Sequence, residues 1–360
     1  MNQGFWKKLK KPIMVLAPMA DVTDAAFRRI IAKYGKPPVM WTEFVSADGL
    51  FLGGKDALLQ DLAFTKAEKP IVAQFFTAKP DMMKKAAQLA VKLGFDGIDI
   101  NMGCPDRSIE KQGAGAALMK TPALAREVLR AAIEGAGKLP VSVKTRIGYK
   151  INELETWLPE LLAESPAMIT IHARTRKEMS DVPAHWDSVK RAVEIRDSLK
   201  SETLIFGNGD VLDIADAKEK AKEAGADGVM LGRAIFGNPW LFAPLHKGAK
   251  SPEPLGAESQ DEAQSRRAGE SLDKTRDEIG ALYKPSISEK LTVMVEHTKL
   301  FEKLFKGKKN FAIMKKHYKA YAHGFEGAKE LRMRLMEAKD AKEVEKVTKH
   351  YLKTGAMLSI

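Results

Sequence analysis

Eight short apolar segments alternate with amphipathic helical segments through the first two thirds of the chain, and this alternation restricts the fold more than any other feature. The segments are apolar throughout rather than at every second position, which predicts parallel strands with both faces buried. Eight such units in roughly 235 residues predict a (β/α)8 TIM barrel. The structural alternative is a doubly wound sheet, which usually has fewer strands and a glycine-rich loop after the first strand; this sequence lacks that loop.

The predicted elements divide the chain into three parts. Residues 1–247 form the barrel, 248–284 form a polar linker with little hydrophobic period, and 285–360 form a small all-α domain. The predicted strands are Ile13–Pro18, Val39–Phe44, Ile71–Phe76, Gly97–Asn101, Val141–Arg146, Met168–His172, Thr203–Gly207 and Gly228–Leu231. The clearest helices are Asp81–Leu93, Pro122–Ala136, Trp186–Leu199, Ile214–Ala224, Ser288–Phe305, Asn310–Ala322, Ala328–Ala338 and Ala341–Lys353.

The charge is concentrated near the carboxyl end of the chain. The sequence has 59 Lys and Arg against 47 Asp and Glu, a net charge of +12. Residues 285–360 contain 17 of these basic and 9 of these acidic residues, so this segment alone carries +8. A basic segment of this kind predicts a polyanionic partner such as nucleic acid.

Several classes of protein are excluded or disfavoured by composition. A single cysteine cannot form an internal disulfide or a thiolate metal cluster, and it suits a reducing cytoplasm. The sequence shows no secretory signal and no apolar run near the ~18 residues that a membrane span requires. We therefore expect a cytoplasmic protein that is not held in a membrane and contains no metal site. We also expect it to act as a monomer.

Glycine and arginine follow the last two predicted strands, where barrels commonly bind phosphate. The two segments are Asn208-Gly209-Asp210 and Gly232-Arg233. Glycine lets the backbone approach an anion closely, and a guanidinium can pair with phosphate through two hydrogen bonds. Together the two segments predict a phosphorylated ligand.

Charged side chains also follow strands five and six. Lys144 ends an apolar strand and must have a partner, because an unpaired buried ammonium is costly. It could form a Schiff base, hold an electron-rich ring, or pair with a carboxylate such as Glu43. His172 and Arg174 project on one side of strand six, and with Arg176 nearby they favour an anion or flavin contact over a satisfied core histidine.

Cys104 lies in the segment Gly103-Cys104-Pro105 directly after strand four. Glycine and proline favour a tight loop that presents the thiol over the barrel mouth. A lone cysteine is more often an inert buried residue. At this position, however, a thiol with a reference pKa of about 8.5 is mostly protonated at pH 7 and can donate a proton.

These segments resemble the tRNA-dihydrouridine synthases, and the Asn-x-Gly-Cys-Pro block is the specific part of the resemblance. The other blocks also occur in wider families of flavin barrels, and the basic tail around Lys315-Lys316-His317 and Tyr321 is similar to the family's RNA-binding domain. The blocks occur in the family's order: Ala17-Pro18-Met19-Ala20, Gly97 to Pro105, Gly113 to Leu118, Val143 to Arg146, His172 to Thr175, Gly207 to Asp210 and Gly232-Arg233.

The resemblance implies an FMN enzyme that reduces the C5–C6 bond of uridine in tRNA, with NADPH or NADH as reductant. Hydride would pass from flavin N5 to C6 and a proton from Cys104 to C5, while Lys144 would lie near the N1–O2 edge of the ring. Asn101 and Arg174 would contact the uracil. The implied FMN contacts are Pro18, Met19, Ala20, Gln74, Lys144, His172, Asn208, Gly209, Asp210, Gly232 and Arg233.

A stacked uridine cannot reach the floor of a barrel, so it must be flipped out, at a cost of a few kcal/mol. This step requires a basic grip on the surrounding RNA backbone. The candidate residues for binding the RNA backbone are Lys306, Lys308, Lys309, Lys315, Lys316 and Lys319.

Three alternatives remain at this stage. A small-molecule FMN oxidoreductase, of the dihydroorotate dehydrogenase or ene-reductase type, accounts for the phosphate site and Lys144 but gives the basic tail no role. A Schiff-base aldolase gives Cys104 no role. An RNA-binding protein on an inactive barrel does not account for the polar groups at strand after strand.

Overall fold

The computed structural model describes residues 3–243 and 285–354, and it confirms a (β/α)8 TIM barrel followed by helices. The eight parallel strands are hydrogen-bonded in the order β1-β8-β7-β6-β5-β4-β3-β2. β1 and β2, at the two ends of this order, lie against each other, so the sheet curls round on itself. The strands are β1 (Ile13–Leu16), β2 (Met40–Ser46), β3 (Ile71–Phe76), β4 (Gly97–Met102), β5 (Val141–Arg146), β6 (Met168–His172), β7 (Leu204–Asn208) and β8 (Gly228–Leu231).

Helices cover the outside of the strands. Those in the barrel part are α1 (Ala25–Tyr34), α2 (Ala47–Leu52), α3 (Lys55–Asp61), α4 (Pro80–Leu93), α5 (Arg107–Glu110), α6 (Pro122–Ala136), α7 (Leu154–Leu162), α8 (Trp186–Ser198) and α9 (Ile214–Ala224). The predicted strands and helices agree with these bounds to within one or two residues. The largest differences are at β1, which ends two residues earlier than predicted, and at β2, which has an irregularity in register between Trp41 and Phe44 and ends two residues later, at Ser46. No helix in the described part of the chain has the length and apolar character of a membrane span.

The interior of the barrel is apolar at one end and polar at the other. Near the amino ends of the strands, Trp6, Trp41, Met168 and Phe206 belong to one buried cluster. Toward the carboxyl ends, register places polar residues beside one another. Gln74 pairs with Asp99 and then Ser142, Asn101 pairs with Lys144 and then Thr170, and Arg146 pairs with His172 and then Asn208. The functional groups therefore converge at the carboxyl-terminal mouth, as in other barrels of this kind.

A second compact unit contains the carboxyl-terminal helices. It comprises Ile30–Lys36 and the described residues from Phe236 onward, while the described residues up to Arg29 and Pro37–Ile235 form the barrel unit. Its helices are α10 (Ile287–Phe305), α11 (Met314–Tyr321), α12 (Ala328–Glu337) and α13 (Ala341–Thr354). The second half of α1 thus groups with the helical unit, which the sequence pattern did not indicate. The predicted linker 248–284 lies outside the described residues.

Local sequence explains where these helices begin. α10 starts with a capping box, in which Ser286 and Glu289 each accept a hydrogen bond from the other's backbone N–H. The predicted helix Asn310–Ala322 begins later as an α-helix, because the Asn310 side chain accepts from the Ala312 N–H and opens a short 3-10 turn, Phe311–Ile313. The four predicted helices are otherwise confirmed to within one residue at each end.

Two fully buried histidines pack together in the core of the helical unit. The rings of His297 and His317 are 4.6 Å apart, and Tyr321 lies beside them. Burial lowers the pKa of both, that of His317 to about 3. Both rings are therefore neutral in the folded protein, whereas in the unfolded chain they take up protons near pH 6.5.

We expect the helical unit to lose stability in mild acid. Because both folded pKa values are depressed, the histidines stabilise the fold fully above about pH 6.5 and progressively less below it, by about 1.4 kcal/mol per pH unit for each ring. Between pH 7.5 and 5 the two together lose about 4 kcal/mol. Hydrogen exchange of α10 and α11 peptides, corrected for intrinsic rates, measures this. His323→Gln, at an exposed position, should leave the loss unchanged; constant protection down to pH 5 would contradict the expectation.

Candidate active site

The loop after β4 holds Cys104 in a fixed position. The Asn101 Oδ1 accepts hydrogen bonds from the backbone N–H of Gly103 (3.2 Å) and of Cys104 (2.9 Å). The Cys104 carbonyl in turn accepts from the Ala116 N–H at 2.9 Å. Gly115 has a φ of +62°, and a Cβ there would lie 2.8 Å from the Cys104 carbonyl oxygen, so this close approach requires glycine. The predicted tight loop is present, and the segment 113–116 packs against it.

Arg146, the last residue of β5, ties this loop to the loop after β6. Its Nε donates to the Gly103 carbonyl (2.9 Å), and its Nη1 donates to the carbonyls of Thr175 (3.0 Å) and Met179 (2.9 Å). The side chain is almost fully buried. A guanidinium with several backbone acceptors is held in one geometry, so Arg146 determines where the Cys104 loop lies relative to β5.

The Cys104 thiol lies in an apolar setting that keeps it protonated. Its side chain is partly buried and packs against Phe76, Ile109 and Ala114. Burial raises the pKa of this thiol above its ordinary value, since a thiolate loses more solvation than a thiol, and this outweighs the attraction of Lys144 and Arg146. Cys104 is therefore suited to donate a proton rather than to act as a nucleophile.

Lys144 projects from β5 into the polar half of the barrel. Its side chain forms no hydrogen bond or ion pair with the described residues, and the alternative partner Glu43 instead accepts from the Asp21 N–H. Burial lowers the pKa of Lys144 to about 8, with a contribution from Arg146, while Asp99 and Cys104 act in the opposite direction. The ammonium is still the main form at pH 7, and it faces the mouth with its donors available.

His172 and Arg174, at the end of β6, are joined to the β7 loop by a polar network. The Arg174 Nη1 lies 3.2 Å from His172 Nε2, its Nε donates to the Val182 carbonyl at 2.6 Å, and its Nη2 contacts the Asp210 carboxylate. Burial, reinforced by surrounding cations, lowers the pKa of His172 well below its usual value, so this ring is neutral. Arg174 is 2% exposed and acts here as a fixed wall of the site.

Arg233 and two glycines form the predicted phosphate end of the site. The Arg233 Nη2 donates to Asp210 Oδ1 at 2.7 Å, yet 68% of the Arg233 side chain is exposed and free to turn. Gly209 has a φ of +126°, which favours glycine, and a Cβ on Gly232 would meet no atom closer than 3.9 Å. The Asp210 carboxylate is engaged by Arg174 and Arg233, so Asp210 can serve a phosphate through its backbone rather than its side chain.

The remaining predicted contacts lie on the same end of the barrel. Pro18 is buried, Met19 is half-buried and Ala20 is exposed, in the loop after β1. Gln74 is fully buried on β3. Asn208 is nearly buried, and its Nδ2 donates to the Met230 carbonyl at 2.7 Å, which links β7 to β8. The structure therefore brings these residues to one mouth of the barrel.

Comparison with known proteins agrees with this arrangement. The family model described as dihydrouridine synthase (Dus) matches residues 15–356. The chain belongs to the dihydrouridine synthase family. It is 37% identical over 346 residues to "Probable tRNA-dihydrouridine synthase 2" of Bacillus subtilis (strain 168), covering 96% of this chain and 95% of that protein. It is 35% identical to "Probable tRNA-dihydrouridine synthase" of Staphylococcus aureus (strain MRSA252), covering 95% and 94%.

In this dihydrouridine synthase family member, sequence reasoning missed two residues that shape the site. Arg146 ends β5 two positions after Lys144, so strand periodicity places both side chains on one face. Asp99 is the single carboxylate inside the apolar β4, and an unexplained charge in a buried strand is itself a signal. Both could have been found by examining every inward-facing position of the predicted strands.

The predicted tRNA-binding lysines of this family member lie in the helical unit. Lys306, Lys308 and Lys319 are exposed, whereas Lys309, Lys315 and Lys316 are half-buried. The exposed three are free to move toward a phosphate at little cost, because long, solvated side chains keep their charge in water. Lys315 and Lys316 flank the buried face of α11, next to His317.

Proposed function

We propose that this protein is an FMN-dependent tRNA-dihydrouridine synthase, an oxidoreductase that uses NADPH or NADH to reduce the C5–C6 bond of uridine in tRNA. One observation carries the proposal beyond family membership. A thiol kept protonated by burial is fixed at the same barrel mouth as Lys144, a half-buried lysine that has no ion-pair partner among the described residues. A positioned acid together with a cation is the pair that reduction of a conjugated double bond on a flavin requires.

The residues present fit FMN. Lys144 offers a cation in the polar interior, and Thr170 beside it has a buried Oγ1 with no hydrogen-bond partner among the described residues. At the other end, Gly209, Gly232 and Arg233 suit a phosphate group. The predicted contacts at Pro18, Met19, Ala20, Gln74, His172, Asn208 and Asp210 line the same mouth.

When bound, FMN would supply the hydride. Lys144 would hold the electron-rich edge of the ring, and its positive charge would stabilise the negative charge that accompanies reduction. Cys104 would deliver the proton to C5 of the uracil. Asn101 and Arg174 are the proposed contacts of the uracil base, and both side chains also fix the walls around it.

The helical unit would hold the tRNA. A uridine has to leave its stack to reach Cys104, which costs a few kcal/mol and calls for many phosphate contacts elsewhere. The net charge of +8 on residues 285–360 suits this role. The proposed contacts are Lys306, Lys308, Lys309, Lys315, Lys316 and Lys319.

We expect a triple Lys→Ala variant at Lys306, Lys308 and Lys319 to bind tRNA with a weaker salt dependence. Each lost phosphate contact lowers the slope of log affinity against log salt by about one, so the slope should fall by about three. Filter binding across 50–200 mM salt measures this. The matched control removes the exposed lysines Lys190, Lys218 and Lys222 on barrel helices α8 and α9. An unchanged slope in the first variant would show that these three lysines do not contact the RNA backbone.

The proposed function is tested with purified full-length protein, FMN, NADPH and tRNA from a strain that lacks dihydrouridine. We expect a yellow protein, flavin bleaching by NADPH, and dihydrouridine in the RNA by nucleoside mass spectrometry. A yellow, reducible protein that acts on small unsaturated carbonyl compounds but not on tRNA would favour the small-molecule oxidoreductase. A protein that takes up no flavin would rule out both.

A further inference from the structure

A buried carboxylate on β4 has no role in the chemistry proposed so far. Asp99 is fully buried between Ile98 and Ile100. Its Oδ1 accepts a hydrogen bond from Ser142 Oγ and its Oδ2 accepts one from Gln74 Nε2, both at 2.5 Å. Removing a carboxylate from water is costly unless hydrogen bonds and a nearby opposite charge compensate for it. An apolar residue would satisfy the packing here, so the charge calls for an explanation.

Asp99 begins a chain of amides that ends at the cysteine loop. An ionised carboxylate can only accept, so Gln74 must present its Nε2 to Asp99, which leaves its Oε1 facing Asn101. The Asn101 Nδ2 lies 3.4 Å from that Oε1, and the Asn101 Oδ1 is then the atom that accepts from the Gly103 and Cys104 N–H groups. The orientation of each amide thus follows from the one before it.

Asp99 also supplies the negative charge that Lys144 experiences. Arg146, on the same strand, disfavours the ammonium, while Asp99 and Cys104 favour it. Cys104 is a neutral thiol at pH 7, and the facing groups on β3 and β6, Gln74 and His172, are also neutral. Burial raises the pKa of Asp99 to about 6, so the carboxylate is largely ionised at pH 7.

We propose that Asp99 is a positioning residue, whose buried charge keeps Lys144 an ammonium and whose hydrogen bonds orient the amides that carry the Cys104 loop. Its consequence for reduction rests on the proposed function, because Lys144 acts there on the flavin. The effect on Lys144 itself needs no flavin. Asp99 touches neither substrate nor cofactor in this scheme and acts through Lys144, Gln74 and Asn101.

Asp99→Asn separates the charge from the hydrogen bonds. The new amide oxygen can accept from Gln74, and the new amide nitrogen can donate to Ser142 Oγ, which then donates to the Ile98 carbonyl, already 3.2 Å away. The amide chain and the packing are kept, and only the charge is lost. Asp96→Asn is the matched control, the same change just before β4, at a half-buried carboxylate whose hydrogen bonds go to residues outside the site.

The direct readout is the titration of Lys144 in the full chain stripped of flavin, by competitive acetylation across pH 6–10 with peptide mass spectrometry. We expect a midpoint near the pKa of about 8 in the unaltered protein and in Asp96→Asn. In Asp99→Asn the midpoint should fall by about one pH unit or more, a tenfold change in the ammonium–amine equilibrium. An unchanged midpoint would overturn the proposal.

Two further measurements keep the outcome decisive. Ser142→Ala removes one hydrogen-bond donor to Asp99, which makes the carboxylate easier to protonate. The Lys144 midpoint should therefore also fall, by a smaller amount than in Asp99→Asn. This variant tests the proposal if Asp99→Asn does not fold. In flavin-loaded protein, the break in the plot of flavin reduction potential against pH should move with the Lys144 midpoint. A shifted Lys144 titration in a protein that binds no flavin would leave Asp99's role standing and remove the proposed function instead.

Discussion

Replacing Cys104 by alanine should abolish most uridine reduction while leaving flavin reduction by NADPH intact. The thiol is the proposed proton donor to C5, and loss of a positioned general acid typically costs 10²- to 10⁴-fold in rate. In the proposed reaction, reduction of the flavin by NADPH takes no proton from this loop, so it provides an internal control. Anaerobic stopped-flow measurement of each half-reaction separates the two effects.

The matched control for Cys104 is Ser108→Ala, at an exposed position four residues further along, in α5. It should leave both half-reactions unchanged. Because burial raises the pKa of the Cys104 thiol, the donor stays protonated through neutral pH and well into the alkaline range, and it should contribute no loss of activity between pH 6 and 8. Unchanged dihydrouridine formation in Cys104→Ala would show that Cys104 is not the proton donor.

Lys144→Met should slow flavin reduction and lower the reduction potential of the bound flavin. The substitution keeps the length and removes the charge beside the ring edge, and loss of one such electrostatic contact typically costs about 10²- to 10³-fold. The pKa of about 8 for Lys144 also predicts an alkaline limb in the rate of the free enzyme, because the stabilising ammonium is lost as pH rises through that value. The limb should be absent in Lys144→Met.

Lys150→Met, at an exposed position after β5, is the control for a change in overall charge. It should keep both the rate and the alkaline limb. A Lys144→Met variant with the original rate and pH profile would show that the cation has no part in reduction. Retained activity would also exclude the Schiff-base alternative, which requires the Lys144 amine.

The strand positions follow closely from the sequence because parallel strands are buried on both faces. β3, β5, β6 and β8 have the predicted bounds, and almost every residue in them is buried. β2 differs because an irregular register is set by contacts with β3, which local sequence does not encode. The grouping of Ile30–Lys36 with the helical unit likewise depends on tertiary packing.

The candidate site was predictable in its residue types more than in their connections. Examining the residues at and after the carboxyl end of each predicted strand singled out Cys104, Lys144, His172 and the glycines after β7 and β8. It could not show that Asn101 holds the Cys104 loop, or that Arg174 contacts His172, Val182 and Asp210, because both depend on side-chain geometry across strands. The role of Asp99 was not predicted, because one carboxylate does not change the apolar pattern that identifies β4 as a strand.

The most direct test of the account is a single-turnover experiment with reduced, FMN-loaded protein and an unmodified tRNA transcript in the absence of oxygen. We expect flavin absorbance to return as uridine is reduced, with one dihydrouridine formed for each flavin reoxidised. Flavin that stays reduced in the presence of the tRNA, or that reoxidises without dihydrouridine appearing in the RNA, would contradict it.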